Sequence, residues 1–569
     1  MASSTYAAVA LVGVVSHIAY FKHGEHHLHG FFYLKLLVTA MSAATVFLSC
    51  AQGTLWTTAL SAVLKLLGSY LCGIYTSVLV YRLLLHPLNK FPGPLPARIS
   101  TVWTSAQLKN NNMHLTLLQY HRKYGPFVRI GSSDLSIAHP DALEPIYGTH
   151  SRCIKGANYE LSAPATALQL MRDPDEHHAR RRVWSGAFSD RLLRGYELRI
   201  RKYREKLLDI ISDLASKKEP VDVTKWFNLY SFDVMGDLSF GRGFDSLERG
   251  EEHWAMRLLM ATQDYVGLNL PAWAFILMAG IPGATGDFWR FLEFCGERLL
   301  ERFKNDPEIP DVSSSLLVPL KGRKVDDLTD DEKNLLYGDA RLIVIAGSDT
   351  TAGTLSAIFY ELVQHPEHIT KLRAELEPHY IENDSPKKTE FLHSKIAHLD
   401  HLNGVINEGL RLYPAVPSSL QRKTPPEGIV VNGTHIPGDM HVFCPLYTIG
   451  RSELAYDHPE EFIPERWYSK PELIRNKGAF APFSLGHFNC IGRPLALMNL
   501  RVTLAQLIME FDVQFAPGED GKRFLADAKD NFVMYFGKLE LAFSRRERDR
   551  VLSPGTASCQ RRGLGKPDG

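Results

Sequence analysis

The chain has 569 residues, a hydrophobic content of 45% and a formal net charge of +1. This length is enough for one large domain, or two ordinary ones, together with a membrane segment. The near-zero charge excludes a general electrostatic basis for binding nucleic acid. The seven cysteines are scattered and odd in number, which argues against a disulfide framework or a zinc site and favours a reducing compartment.

Residues 1–86 differ in composition from the rest of the chain. Apolar runs cover residues 5–21, 31–50 and 66–85, and each approaches the ~20 residues that cross a bilayer core of about 30 Å. We expect a membrane region with up to three transmembrane helices. A single anchor formed by residues 66–85 and a buried helical hairpin of a soluble protein are the alternatives.

Basic residues near these runs predict their orientation. Lys22 and Lys35 lie near the first loop, and the loop after residue 50 carries no charge. Arg82 lies near the end of the third run, and Lys90 follows it. The positive-inside rule then places the first loop and the large domain in the cytosol and the N-terminus in the lumen. The histidine-rich first loop is expected to be exposed between the spans.

A proline-rich segment, residues 86–96, separates the membrane region from a second domain expected over residues 87–545. Helical patterns are predicted at 191–217, 252–265, 287–303, 330–364 and 367–377. A strand is predicted at 127–130, and Asn432-Gly433 predicts a hairpin between strands 429–431 and 434–436. The polar tail, residues 546–569, is expected to be disordered.

The longest predicted helix carries a polar group at its centre. Thr329 and Glu332 form a capping-box pattern at its start. Gly347, Asp349 and Thr350 lie in its middle, where they are costly for helix propensity. Gly347 would let a flat cofactor or dioxygen approach the backbone, and the Thr350 hydroxyl can bond back one turn. The pattern predicts a polar notch in an apolar wall; an ordinary polar helix surface is the alternative.

Two further patterns follow along the chain. Glu408 and Arg411 have i, i+3 spacing, which places them on one helix face, and Arg466 follows in a Pro-Glu-Arg-Trp segment. Cys490 lies on a glycine-punctuated loop directly before an apolar helix pattern. The free N–H groups and dipole of that helix favour a thiolate, which can ligate iron. A buried structural cysteine is the alternative.

These motifs, in this order, resemble the cytochrome P-450 family over roughly residues 87–540. Phe483, Gly486 and Cys490 match its haem loop, and residues 346–351 match its oxygen-activation motif. Phe488 stands where the family usually has an arginine or histidine that pairs with a haem propionate. The resemblance implies a mainly α fold with small β-sheets, formed by a helix-rich lobe and a β-rich lobe behind an N-terminal membrane anchor.

The resemblance also implies roles for individual residues. Cys490 would be the axial ligand of haem b, Thr350 would stabilise dioxygen and Asp349 would help to relay protons. The buried structural network would consist of Glu408, Arg411 and Arg466. The helix at 173–184 would face the propionates, for which i, i+4 spacing favours His178 and Arg182; its alternative is a solvated basic face. Other candidate propionate contacts are Arg422 and His487, the latter as a substitute for the missing arginine.

The function implied is that of a monooxygenase that inserts one oxygen atom into a lipophilic small molecule. The sequence has no flavin or nicotinamide motif, so NADPH would act through a separate reductase. The basic flank at Arg422 is a docking candidate for it, with a merely solvated surface as the alternative. The appearance is that of fungal endoplasmic-reticulum members that tailor secondary metabolites. An O2-independent haem-thiolate isomerase or dehydratase, and a non-enzymatic haem-binding membrane protein, are the alternatives. Residues 415–419 are expected to border the substrate pocket, and apolar residues 265–281 to dip into the bilayer or to form core.

Overall fold

The computed structural model describes residues 3–108, 110–304, 307–380, 390–418 and 420–546. Predictions for Ser419 and for residues 547–569 of the tail lie outside these ranges. The N-terminal region contains helices α1 (Ser3–Ser16), α2 (Gly30–Gln52) and α3 (Trp56–Val80). Single π-helical turns, His17–Phe21 and Tyr81–Leu85, lengthen α1 and α3.

The three N-terminal helices have apolar surfaces that suit contact with lipid. Among the residues described by the structure, four helices are long and apolar enough to cross a membrane, and the fourth, Asp330–Gln364, is mostly buried inside the protein. The other three expose large apolar side chains such as Leu11, Leu36 and Leu84. Such a surface is costly in water and favourable in lipid, so these helices suit a membrane anchor.

Helices α1 and α3 approach each other closely at two glycines. A Cβ atom on Gly73 would lie 1.9 Å from the Ala10 carbonyl oxygen, and one on Gly13 would lie 2.2 Å from the Tyr70 carbonyl oxygen. His17 and Ser77 also share a hydrogen bond of 2.8 Å between these helices. Small residues at a crossing and polar side-chain bonds are the contacts that hold helices together in lipid.

The second region is a mainly helical domain with small sheets. Its helices are α4 (Leu95–Ile99), α5 (Thr101–Gln107), α6 (Met113–Tyr124), α7 (Leu143–Tyr147), α8 (Pro174–Ser185), α9 (Asp190–Ser216), α10 (Val223–Phe240), α11 (Ser246–Arg249), α12 (Trp254–Gly267), α13 (Ala272–Ala279), α14 (Gly286–Phe303), α15 (Val312–Leu316), α16 (Asp330–Gln364), α17 (Pro366–Leu376), α18 (His393–Ile396), α19 (Asp400–Leu412), α20 (Leu446–Gly450), α21 (Arg493–Glu510) and α22 (Lys522–Ala526).

Its strands are β1 (Phe127–Arg129), β2 (Asp134–Ile137), β3 (Ile154–Lys155), β4 (Val221–Asp222), β5 (Arg422–Lys423), β6 (Ile429–Val431), β7 (Thr434–Ile436), β8 (His441–Phe443), β9 (Phe511–Phe515), β10 (Lys529–Asn531), β11 (Val533–Tyr535) and β12 (Glu540–Arg545). The largest sheet has the order β1-β2-β8-β5-β3, with only β2 and β8 parallel, and a second sheet has the order β4-β12-β9. Two hairpins, β6-β7 and β10-β11, complete the β structure.

The long helix α16 runs through the main hydrophobic core and packs against α10, α14, α19 and α21. It begins at the predicted capping box: the Glu332 N–H donates to the Thr329 hydroxyl and the Thr329 N–H donates to the Glu332 carboxylate. The predicted helices are confirmed to within two residues at each end. The predicted hairpin is also confirmed, with Asn432 and Gly433 both at positive φ, as a two-residue turn of this kind requires.

The close α1–α3 crossing gives a test of how the anchor is assembled. We expect Gly73→Leu to force the two helices apart, because its side chain has no space beside Ala10. The thermal unfolding temperature of the detergent-solubilised full chain should fall by several degrees. Gly68→Leu in the same helix is the control, because no atom lies near its Cβ position. Equal melting of the two variants would show that the crossing contributes no stability.

Candidate active site

A cavity of about 950 Å³ lies inside the helical domain. The centre of α16 forms one wall, and the loop that carries Cys490 forms another. Apolar side chains make up much of the remaining wall: Leu168, Ile200, Val234, Leu259, Phe275, Ile276, Ile345, Val416 and Val533. Such a mainly apolar pocket with a few polar groups is typical of a small-molecule site.

The Cys490 loop is shaped by hydrogen bonds and by residues at positive φ. The Cys490 N–H donates to the Phe483 carbonyl over 2.8 Å, which closes the loop. Gly486 has a φ of +60°, and a Cβ atom there would lie 2.4 Å from the Tyr147 carbonyl oxygen. Gly486 therefore shapes the loop and is not part of the cavity wall, whereas Phe483 and Cys490 both line the cavity.

Cys490 is exposed at the cavity that it lines, and protein atoms pack densely around this part of the cavity. Burial raises the pKa of the Cys490 thiol, and the N–H groups of Gly492 and Arg493 at the start of α21 oppose this rise. The predicted helix N-terminus is therefore present, but its N–H groups do not fully offset the effect of desolvation on the thiol pKa. Since cysteine ligates a metal as the thiolate and not as the thiol, metal binding at Cys490 would release the thiol proton.

The structure corrects the predicted register of α8. Arg180 and Trp184 both donate to the buried carboxylate of Asp339 on α16, which fixes the rotation of the helix. His177 and Arg181 then line the cavity. His178 and Arg182, the predicted pair, are exposed and do not line it. The i, i+4 spacing is the same for both pairs, so spacing alone does not distinguish them.

Four basic side chains gather at the end of the cavity beside Phe488. Lys155, His177, Arg181 and Arg422 all line this region. Burial, followed by the charges of Arg422 and Arg181, lowers the pKa of Lys155 to about 6. Burial and the neighbouring cations lower the pKa of His177 to about 3. Among the residues that the structure describes, no carboxylate forms an ion pair with Lys155, Arg181 or Arg422, so the cluster favours an anionic ligand.

Arg422 is placed to bind an anionic ligand, although its surroundings differ from those predicted. It is 2% exposed, and its Nε atom has no hydrogen-bond partner within the part of the chain that the structure describes. The predicted exposed basic flank for a redox partner is wrong, because Arg422 is buried and Lys423 is paired with Asp439 at 3.2 Å. His487 is also misassigned, because its side chain is exposed and lies outside the cavity.

Phe488 occupies the place that His487 was expected to fill. Its ring contacts the His177 ring at a centroid distance of 4.6 Å. The Lys155 Nζ atom lies 4.8 Å from the ring centroid and the Arg422 guanidinium 5.2 Å from it. A cation–π contact of this kind holds the Arg422 guanidinium in place without neutralising its charge.

The polar notch of α16 forms as the sequence predicts. The Thr350 hydroxyl donates to the Ala346 carbonyl over 2.7 Å, and both residues line the cavity. Gly347 lines the cavity, and the approach of a cofactor to its backbone stays a prediction. A Cβ atom there would also lie 2.4 Å from the Met235 side chain of α10. The glycine thus permits the close approach of Met235.

Asp349 lies behind the cavity wall, and sequence analysis missed its partner. The Tyr535 hydroxyl donates to the Asp349 carboxylate over 2.5 Å. Burial raises the pKa of Asp349 to about 6, and the hydroxyls of Tyr535 and Ser348 limit the rise. Tyr535 comes from β11, and no spacing signal connects it with α16.

The structure brings the three predicted network residues together around one buried carboxylate. Arg411 donates to both Glu408 oxygens over 2.9 and 2.7 Å, and Arg466 donates to Glu408 over 2.9 Å. Trp467, not assigned from the sequence, donates its indole N–H over 2.9 Å. The arginines also donate to backbone carbonyls of residues 450–473, so the network holds this segment against α19.

These residues fit a haem. Cys490 offers one sulfur ligand to the interior of the cavity, and the basic cluster, with the unpartnered Arg422 Nε, suits two carboxylates. Thr350 lies on the facing helix and lines the same cavity. A soft thiolate ligand beside an apolar pocket with a separate cationic end is the donor set that such a group needs.

The corrected register of α8 gives a direct test. We expect Arg181→Gln to weaken haem retention by about tenfold or more, because it removes a charge-assisted contact in a sheltered site. Arg182→Gln, the exposed neighbour, should leave retention unchanged. The measurement is the rate at which haem leaves the purified full-length enzyme for excess apomyoglobin. Faster haem loss from Arg182→Gln alone would show that the originally predicted face of α8, with His178 and Arg182, contacts the haem.

Comparison with known proteins agrees with this geometry. A family profile described as cytochrome P450 matches residues 92–541. The chain is 45% identical to cytochrome P450 monooxygenase notG' of Aspergillus versicolor, over 96% of this chain and 98% of the relative. It is 44% identical to tryprostatin B 6-hydroxylase of Neosartorya fischeri, over 95% of this chain and 98% of the relative. The chain therefore belongs to the cytochrome P450 family and is a haem-dependent monooxygenase with the fold of that family.

Proposed function

We propose that this protein is a membrane-anchored monooxygenase that inserts one oxygen atom from O2 into a lipophilic secondary metabolite. Its domain faces the cytosol at the endoplasmic reticulum, and its electrons come from NADPH through a separate reductase. The observation that carries the proposal is the placement of Thr350 and Cys490 on the walls of one largely apolar cavity. An apolar pocket with these two polar groups selects a lipophilic substrate.

Each polar group of the cavity has a separate role in this proposal. Haem, when bound, supplies the reductive activation of dioxygen. Cys490 would ligate its iron, while Arg181, Arg422 and Lys155 would hold its carboxylates. The Thr350 hydroxyl, oriented by the Ala346 carbonyl, offers a hydrogen bond inside the cavity. Asp349, one layer behind the wall, has a carboxyl pKa of about 6, so it can take up and release a proton close to neutral pH.

Two observations support the membrane orientation. The first inter-helix loop carries Lys22 and is bonded to the catalytic domain through Glu25 and Arg172, so the loop and the domain lie on the same side of any membrane that the helices cross. Three spans satisfy this arrangement, with the N-terminus on the opposite side. The positive-inside rule then assigns the shared side to the cytosol.

The relatives support the substrate class in general terms. One is named for hydroxylation of tryprostatin B at position 6, and hydroxylation is the insertion of one oxygen atom. The similarity covers nearly the whole chain. We therefore assign hydroxylation of a secondary metabolite to this chain, without assigning the relative's substrate to it.

A comparison of metabolites in the native host tests the reaction. We expect a Cys490→Ser strain to accumulate a compound that lacks one oxygen atom relative to a wild-type product, because the variant loses its iron ligand. Cys50→Ser, at an exposed cysteine of α2, should give the wild-type profile. Purified Cys490→Ser protein should also lose the haem-thiolate spectrum of its carbon monoxide complex.

Two other results of the metabolite comparison would contradict the proposed hydroxylation. A substrate and product with the same oxygen content would favour the isomerase or dehydratase alternative. An unchanged metabolite profile, in a strain that expresses the variant, would overturn the tailoring function.

The Asp349–Tyr535 pair predicts a pH dependence. Because the Tyr535 hydroxyl stabilises the Asp349 carboxylate, Tyr535→Phe should raise the pKa of Asp349 above its value of about 6. In the wild type, product formed per NADPH consumed should change with an inflection near pH 6. This inflection should move to higher pH in Tyr535→Phe by about one unit.

Two variants make this test specific. Asp349→Asn should abolish the inflection, since the amide does not titrate. Tyr75→Phe, at an exposed tyrosine of α3, should leave it in place. An inflection that is identical in wild type and Tyr535→Phe would remove the pair from proton handling.

A further inference from the structure

The loop between the first two N-terminal helices does not project freely from the membrane region. Arg172 donates to both oxygens of Glu25 in this loop, over 2.7 and 2.9 Å. The same guanidinium donates to Glu160 over 2.5 Å, and His27 of the loop shares a hydrogen bond of 2.6 Å with Glu160. Lys423 adds a longer contact to Glu25 at 3.4 Å.

This polar contact is sheltered. The Arg172 side chain is 13% exposed and the Glu25 side chain is 26% exposed. Although burial opposes ionisation, the bond to Arg172 lowers the pKa of Glu25 to about 2, so the pair stays charged at physiological pH. Glu25, His27 and Glu160 have the spacing of a metal site, but the Arg172 guanidinium already provides the cation between the two carboxylates.

An apolar contact continues from this polar one. Phe31, at the start of α2, lies against Gly280 just after α13, where a Cβ atom would be 2.0 Å from the Phe31 ring. A Cβ atom on Gly30 would lie 3.3 Å from the Leu277 side chain. The start of α2 and the end of α13 thus fit together at positions where larger residues would clash.

This junction forms part of the wall of the active-site cavity. Leu28 and Phe31 line the cavity, together with Phe275, Ile276 and Gly280 of the facing segment. Residues 265–281, for which the sequence left bilayer and core as alternatives, therefore provide cavity wall on one face. On another face Trp273 is 49% exposed.

We propose that the first N-terminal loop, residues 22–31, is a latched outer wall of the substrate cavity, held by Glu25 and Arg172 and closed by Phe31, and that it limits the access of bulky lipophilic molecules. This inference rests on the proposed function, since it concerns access to the same haem site. The membrane region then acts in substrate selection as well as in anchoring.

The test uses the full-length holoenzyme in microsomes and two haem ligands of different size. Imidazole is small, whereas clotrimazole carries a bulky triaryl group on its imidazole ring. Each gives a shift of the haem absorbance when its nitrogen binds iron, so association can be followed by stopped flow. We expect Phe31→Ala and Glu25→Gln each to raise the association rate of clotrimazole by about threefold or more, while the rate for imidazole stays the same.

Phe32→Ala is the matched control, because Phe32 is the exposed neighbour and does not line the cavity. It should leave both rates unchanged. Normal imidazole binding with wild-type clotrimazole rates in Phe31→Ala and Glu25→Gln would overturn the latch. Failure of imidazole to bind the wild-type enzyme would instead overturn the proposed haem site.

Discussion

The buried carboxylate of Glu408 is the contact on which the position of the active site most depends. It accepts hydrogen bonds from Arg411, Arg466, Trp467 and the Ile463 N–H. The side chains of Glu408 and Arg466 are fully buried. Removing one partner from such a buried network costs about 3–5 kcal/mol, because charges remain unpaired. Since α19 also packs against α16 and α21, the network connects the helix of the polar notch with the helix that follows Cys490.

The basic cluster around Phe488, unlike Glu408, lacks partners of opposite charge among the described residues. Glu408 is fully paired within the chain, whereas Lys155, Arg181 and Arg422 have aromatic rings and backbone carbonyls around them but no described carboxylate. Burial and the neighbouring cations lower the pKa of Lys155 to about 6, and a buried guanidinium such as that of Arg422 is unfavourable without a counterion. This end of the cavity therefore favours a ligand with negative charge. Binding of the cofactor there would stabilise the folded domain.

Sequence analysis succeeded where the signal was local and failed where a contact joined distant segments. The capping box of α16, the Thr350 bond to Ala346 and the Asn432-Gly433 turn each depend on residues within a few positions of one another. The Glu408 network joins distant segments and was predicted through the family resemblance, because only the Glu408–Arg411 spacing is a local signal. The register of α8 was not predicted correctly, because it depends on Asp339 of α16. Tyr535 and the docking of the first loop likewise depend on contacts across the fold.

The contribution of Leu28 and Phe31 to the cavity wall has a practical consequence for making a soluble form of this enzyme. Deleting the N-terminal region as a dispensable leader would remove part of the wall and leave Arg172 without Glu25. The shortened enzyme would then have a wider opening than the native one, and its range of accepted compounds would not represent that of the full chain. Exchanging this region for the leader of another enzyme carries the same risk.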